Sequence, residues 1–443
     1  MTRARLITTT LAAVLALPAV AAAPGYFQIP GTETTAKIYG FAALNMTWDG
    51  KGATGPLGGL GSASASNPDD KYAKNQIDLT GVTSRLGVTT TTPTSWGDVI
   101  FKIEGDFAGN ATSTGTAVNP GTDAKGDFRL RHAFGQIGNL IAGQTDTLFL
   151  DASGDTVRDL YIDWQGMCGG YEGISSRVPQ VRYTFVFNKQ ASLAFAVEAS
   201  KTNAVNVPGN TSGYPSPYSS SRSFPSLVAA FKYGDAWGHV RAAVGYQKYD
   251  SFTPQGGSAE VWYWKGTGAT PPVWTKATPA VLPANAELTK TSLSWNVSSA
   301  YYFSKDSVSA LIGKGDANYG PNLQDGVVVS ASNPGNLDLI QGTSWGLGYN
   351  RVWNPTYSSN LFVLGVNYSR DKDSGMLAAK FARYLQYGVN TLVNLSNTTR
   401  FGVEYIYGKA VTFDANQITN KDGSKTDQIT ESKLRLQWRY MFN

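Results

Sequence analysis

Two sets of charged residues in this 443-residue chain have the types and spacing to act on one another. Arg85, Arg129, Arg131, Arg182 and Arg241 are assigned to the polar side of segments that alternate between apolar and polar residues. Asp151, Asp155, Asp159, Asp163 and Glu172 fall in one connection, about 149–178. Arginine stays charged at any accessible pH, and carboxylates are ionised at neutrality. Facing each other across water, acidic loop and basic wall would set up a transverse field that orients dipolar or charged solutes. The same acids would serve equally as solvated charges on an external loop, and spacing alone leaves both readings open.

Other chemistry is poorly supplied. Two His and one Cys, Cys168, exclude a Cys/His zinc site, an iron–sulfur cluster and an intrachain disulfide. Hydrolysis needs a nucleophile, a base and an orienting group within hydrogen-bond reach. The candidate bases are His132 and His239. His239 lies just past a predicted tight turn. His132 shares the parity of Phe128, Leu130 and Phe134, which predicts an outward position against a neighbouring subunit. No enzyme and no cofactor is therefore expected. Gly58-Gly59-Leu60-Gly61 follows no strand-to-helix pattern and is not a phosphate cradle. Asp69-Asp70 is a solvated pair sooner than a calcium or lipid bridge. With 37 basic and 32 acidic residues and no basic tract, nucleic acid is not an expected partner.

The elements that must position the charges are strands. Charged residues are 16%, aromatics 12%, and Gly numbers 48. The length suggests about three soluble domains, but that division does not fit one repeating pattern. In Val99–Phe107, Val99, Phe101, Ile103 and Phe107 form one face; Lys102, Glu104 and Asp106 form the other. The split recurs in Leu227–Tyr233, Val240–Gln247, Phe401–Tyr407 and Leu434–Phe442. Sixteen such segments are predicted, at about 37–48, 76–90, 97–107, 127–138, 140–148, 179–188, 190–200, 225–234, 237–248, 289–303, 306–315, 342–353, 358–370, 379–394, 397–410 and 429–443.

Seven connections are tight, such as Gly138-Asn139 and Ser304-Lys305-Asp306, and they alternate with eight long Gly/Ser/Asn/Pro-rich ones. Short turns at one end and long loops at the other predict an all-β, closed, antiparallel 16-strand transmembrane barrel. Closure satisfies every backbone group without leaving an edge. A propeller or sandwich would not explain the two loop classes. Nor would it place Trp48, Trp237, Tyr249, Phe303, Trp353, Tyr368 and Tyr407 near strand ends, where they suit the membrane interfaces. Ile77 and Leu79 differ in parity from Val82, Leu86 and Val88, which predicts a bulge near Gly81 that turns Arg85 inward. Arg351 and Arg383 have outward parity near strand ends, which predicts interfacial positions. Residues 1–22, with Arg3, Arg5 and an apolar Leu11–Leu17 core, read as a cleaved signal peptide. A short periplasmic segment, 23–36, then precedes the barrel, 37–443.

Sixteen strands enclose an aqueous channel, whereas eight fill their own interior. Passage of small hydrophilic solutes is the function that width implies. The alternatives are a structural or adhesion barrel with a closed lumen, for which Trp262, Trp264 and Trp274 offer a loop surface, and an outer-membrane hydrolase.

Ser84-Arg85-Leu86-Gly87, Leu130-Arg131-His132-Ala133-Phe134-Gly135, Ala142-Gly143-Gln144-Thr145, Val178-Pro179-Gln180-Val181-Arg182-Tyr183 and Gly402–Gly408 resemble the DcaP-like porins, as does Phe27–Thr32. The resemblance implies membership of the trimeric 16-stranded porins, a homotrimer, an inward-folded third loop, and passive uptake of small anionic solutes such as dicarboxylates. It implies that Arg85, Arg131 and Arg182 form a basic constriction ladder. Outer-membrane lipid and lipopolysaccharide would surround the barrel. Three departures stand out. No heptad segment precedes the first strand, so the N-terminal stalk of many members is expected to be missing. The third loop carries Cys168 and Gly169-Gly170. The last aromatic, Phe442, stands one place before the end.

Overall fold

The computed structural model describes residues 25–51, 75–109, 127–162, 177–199, 219–221, 224–252, 259–264, 274–282, 287–316, 319, 327–329, 337–369, 381–412, 418–419 and 424–442. The expectations for the signal peptide, Gly58–Gly61, Asp69-Asp70, Asp163, Cys168 and Glu172 lie outside the described residues.

Sixteen strands form one antiparallel ring. The first eight are β1 (Thr35–Lys51), β2 (Gln76–Thr80 with Arg85–Thr92), β3 (Val99–Asp106), β4 (Arg129–Ile137), β5 (Leu140–Asp146), β6 (Arg177–Val186), β7 (Ala191–Glu198) and β8 (Ser226–Asp235). The second eight are β9 (Gly238–Phe252), β10 (Glu287–Phe303), β11 (Asp306–Gly315), β12 (Gln341–Val352), β13 (Tyr357–Ser369), β14 (Phe381–Asn394), β15 (Thr399–Thr412) and β16 (Gln428–Phe442). β16 returns to β1 with Gly40 opposite Phe442 and Trp48 opposite Leu434, which closes the barrel. The sixteen segments expected from period two are these strands. All seven expected tight turns join neighbours at one end, and Tyr26–Gln28 folds back onto the start of β1 at that end.

The outer face is apolar. Leu44, Phe101, Ile103, Leu227, Phe231, Val244, Ile312, Leu347 and Tyr405 are each well exposed, as residues meeting acyl chains must be. Their strand neighbours Asn45, Glu104, Arg241, Gln247 and Glu404 point inward and are buried. Trp237, Phe303 and Trp353 stand outward near the tight turns. Tyr249 and Tyr368 instead lie on the inner face, 4% and 8% exposed, so the expected interfacial girdle does not include them. Parity decides this: Tyr249 follows His239, Arg241 and Gln247 inward.

Two irregularities aim side chains. β2 is interrupted at Gly81–Ser84, where Thr80 pairs with Asn45 and Arg85 with Phe41. β2 therefore uses one residue more than β1 over that stretch, as the parity break predicted, and Arg85 faces inward. Ser84 Oγ accepts from Ala43 N–H at 3.0 Å and donates to the Gly81 carbonyl at 2.7 Å, filling the gap in the ladder. In β4 the register shifts so that Glu104 faces His132 and Gly105 faces Leu130. The extra residue is Arg131. This corrects the outward position expected for His132: it turns into the barrel, with Nδ1 3.0 Å from Thr145 Oγ1 and Nε2 3.9 Å from Glu104. Arg351 pairs with Asp306 at the tight-turn end of β12, and Arg383 is exposed at the loop end of β14. Both charges thus avoid mid-bilayer.

Candidate functional site

The third long connection enters the barrel and lies along its inner wall. Its root is held by Glu198 of β7, whose carboxylate accepts from Thr147 Oγ1 and from Leu148 N–H, each at 2.6 Å. Arg241 of β9 donates to the Leu148 and Phe149 carbonyls, and Asn296 of β10 to the Phe149 carbonyl at 2.8 Å. A short 3-10 turn, Val157–Leu160, follows. Asp159 Oδ2 starts it by accepting from Thr156 N–H at 3.0 Å and from Thr156 Oγ1 at 2.8 Å, in the manner of a capping box. The far end is held by Asn360 and Asn390, which both donate to the Leu160 carbonyl. Tyr161 donates to Gln386 at 2.6 Å, and Ile162 N–H to Glu404 at 2.8 Å. One loop therefore reaches from β7 to β15.

Apolar contact seats the loop between these pins. Leu148 and Phe149 pack with Ala194, Ala196, Val228, Ala230 and Ala243. Val157, Leu160 and Tyr161 pack with Phe362, Leu364 and Val366 of β13 and with Ile406 and Ile429. Here the inner wall is apolar because the loop, not water, covers it.

Asp151 and Asp155 of the loop are spent on the same wall. Asp151 Oδ2 lies 2.9 Å from His239 Nε2 and accepts from Ser298 Oγ at 2.6 Å. Ser153 Oγ donates to Asp151 Oδ1. Asp155 lies 3.5 Å from His239 Nδ1 and accepts from Tyr302. Burial opposes ionisation of Asp151, but hydrogen bonds from His239, Ser153 and Ser298, with the charge of Arg241, hold its carboxyl below the usual range. Burial likewise opposes ionisation of Asp155, and hydrogen bonds from His239 and Tyr302 overcome it. Asp159 is engaged with Thr156. Asp163 and Glu172 lie outside the described residues.

The basic residues gather on β2–β4. Arg131 is 1% exposed, with Nε 3.0 Å from Glu104 and NH1 2.9 Å from Asp106. Arg129 binds Asp106 through two nitrogens, at 2.9 and 2.7 Å, with its side chain 39% exposed. Arg85 lies 3.4 Å and Lys102 3.7 Å from Glu104. Among the described residues, these four cations surround two carboxylates, which leaves the patch net positive. Arg182 donates to Gln180 Oε1 and to the Asp146 carbonyl, and Arg241 is committed to the loop root. The structure thus brings Arg85, Arg129 and Arg131 together and separates Arg182 and Arg241 from them.

Further groups extend the patch across the β1–β16 seam. Arg439 lies over the Phe41 ring at 4.2 Å, and Arg85 lies over the same ring at 5.1 Å. Arg400 sits opposite Arg439 on β15, and Arg435 binds Glu404 at 3.3 Å. The polar parity of Phe401–Tyr407 and Leu434–Phe442 already carries Glu404, Arg435 and Arg439 inward. What sequence reasoning lacked was the ring closure that brings β16 beside Arg85.

Residues 12–222 match the family model of the DcaP outer membrane protein. Porin Omp2b of Brucella abortus (strain 2308) is 27% identical over 233 residues, 50% of this chain and 54% of that protein. The chain thus spans about half the length of the curated relatives it matches. The outer membrane channel DcaP of Acinetobacter baumannii superposes with a TM-score of 0.68 at 22% identity, over 95% of this chain and 100% of that one. The anion-selective porin from Comamonas acidovorans superposes with a TM-score of 0.52 at 12% identity, over 93% and 100% of the two chains. OmpT of Vibrio cholerae, in a trimer form, gives 0.50 at 11% identity, over 92% and 99%. These structural likenesses establish the porin barrel fold.

Proposed function

From the match of residues 12–222 to the DcaP outer membrane protein family, we propose that the chain is an outer-membrane porin of that family. It passes small hydrophilic solutes by diffusion, with a modest preference for anions, dicarboxylates among them. It works as a homotrimer in the outer membrane, surrounded by lipid and lipopolysaccharide, after export by a cleaved signal peptide, residues 1–22. The observation that carries this reading is the third connection docked on the inner wall, with the cation-rich patch of β2–β4 and β15–β16 on the same inner wall.

A loop held from β7 to β15 narrows the lumen, and selectivity comes from charges at a narrow point. Arg85 and Arg129, with Lys102, would meet the solute. Arg131, enclosed by Glu104 and Asp106, would hold those two carboxylates in place. Arg182 and Arg241 would shape the wall and loop instead of contacting the solute. The anion-selective neighbour from Comamonas acidovorans and the trimer form of OmpT support the preference and the assembly by analogy of fold.

Swelling of liposomes containing the purified protein tests the reading. Small carboxylates should enter faster than neutral sugars of equal size. No swelling with any solute would instead favour a barrel with a closed lumen.

A further inference from the structure

A cavity of about 500 Å³ opens at the tight-turn mouth of the barrel, between the docked loop and the wall of β6–β10. That volume suits a small ligand. The loop contributes Ser153 and Asp155; the wall contributes Lys232, His239 and Tyr302. It is separate from the cation-rich patch on β2–β4, and its chemistry differs. Lys232 Nζ donates to Ser153 Oγ at 2.8 Å, and an ammonium has two further donors. Asp155 lines the same cavity with its side chain 20% exposed, and its Oδ2 meets His239 and Tyr302.

We propose that this alcove is a binding station for small zwitterions of the amino-acid type. The solute carboxylate would meet Lys232, and its ammonium group would donate to the exposed part of the Asp155 carboxylate. A cation and a carboxylate lining one cavity match a solute with both charges and no net charge. The patch on β2–β4, with four cations around two carboxylates, matches net anions instead. A porin with both features would pass anions freely and detain zwitterions at its periplasmic mouth. The inference rests on the porin reading, since a solute reaches the alcove through the lumen.

Current recordings from the purified protein in a planar bilayer provide the test, with serine, propionate and ethylammonium as probes. Interruptions are scored against each variant's own open current. Serine should reside about tenfold longer than propionate or ethylammonium, because each of those lacks one of the two charged contacts. Lys232→Gln should reduce serine to the level of ethylammonium. Asp155→Asn should reduce it to the level of propionate. Because Asp155 also holds the loop, propionate in the Asp155→Asn channel is the control: it meets Lys232 alone, and its residence should be unchanged. Equal residence of serine and propionate in the unaltered protein would overturn the proposal, as would a Lys232→Gln channel that detains serine unchanged. Absence of any conductance would overturn the porin reading and this inference with it, whereas an open channel without serine interruptions overturns this inference alone.

Discussion

Between Glu104 and Asp106, the Arg131 guanidinium makes two charge-assisted contacts within a fully enclosed cluster, while Arg129 beside it is 39% exposed. The two neighbours should therefore respond differently to the same change. Arg131→Gln removes the shared partner of two buried carboxylates and should cost about 3–5 kcal/mol of barrel stability. Arg129→Gln, partly screened by solvent, should cost about 1 kcal/mol. Urea unfolding in detergent micelles, followed by the mobility shift between folded and unfolded barrel, would measure both; equal losses would contradict the assignment. The sequence placed Arg129 and Arg131 on the wet face, but it did not separate their roles. That separation comes from a bulge at Arg131, which sets both Arg131 and His132 opposite Glu104. Strict parity carries no sign of an extra residue within Leu130–Phe134. At β2 the parity break between Leu79 and Val82 did give such a sign, and there the inward turn of Arg85 was legible.

The third loop is the element on which function turns, and its docking depends on ionised acids. Asp151 and Asp155 have carboxyls held below the ordinary value, so each stabilises the docked state fully above the unfolded-state pKa of about 3.9. That stabilisation is lost as pH falls through the depressed folded value. Conductance should thus be steady from neutrality down to about pH 4 and grow noisy only in stronger acid. Asp151→Asn should bring that noise to neutral pH, and a quiet Asp151→Asn channel would show that the Asp151 contacts do not hold the loop. The loop's seat was hard to read beforehand. β13 carries Leu361 and Val363 outward and Phe362, Leu364 and Val366 inward, so its run is apolar on both faces. Lipid covers one face and the loop the other, and periodicity has no contrast to report. β5 offers a test of the wall itself. Gly143 has φ +130°, and a Cβ there would lie 2.4 Å from the Ala133 carbonyl oxygen. Gly143→Ala should lower stability by about 1–3 kcal/mol in the same unfolding assay; an unchanged midpoint would refute the strain.

At the scale of the whole molecule, the barrel was nearly all legible. Period two with two loop classes gives sixteen strands, because each strand must show lipid one face and the lumen the other. What one sequence does not display is which strands meet across the seam. There Arg439 and Arg85 share the Phe41 ring, joining the two ends of the chain into a single basic band. The account's central claim is that this band faces permeating ions across a lumen narrowed by the docked loop. The zero-current potential across a salt gradient tests it most directly, in the unaltered protein and in Arg85→Glu combined with Arg129→Glu. The account predicts an anion-selective sign for the first and a shift toward cations for the second. The same potential in both proteins, with both channels open, would contradict it.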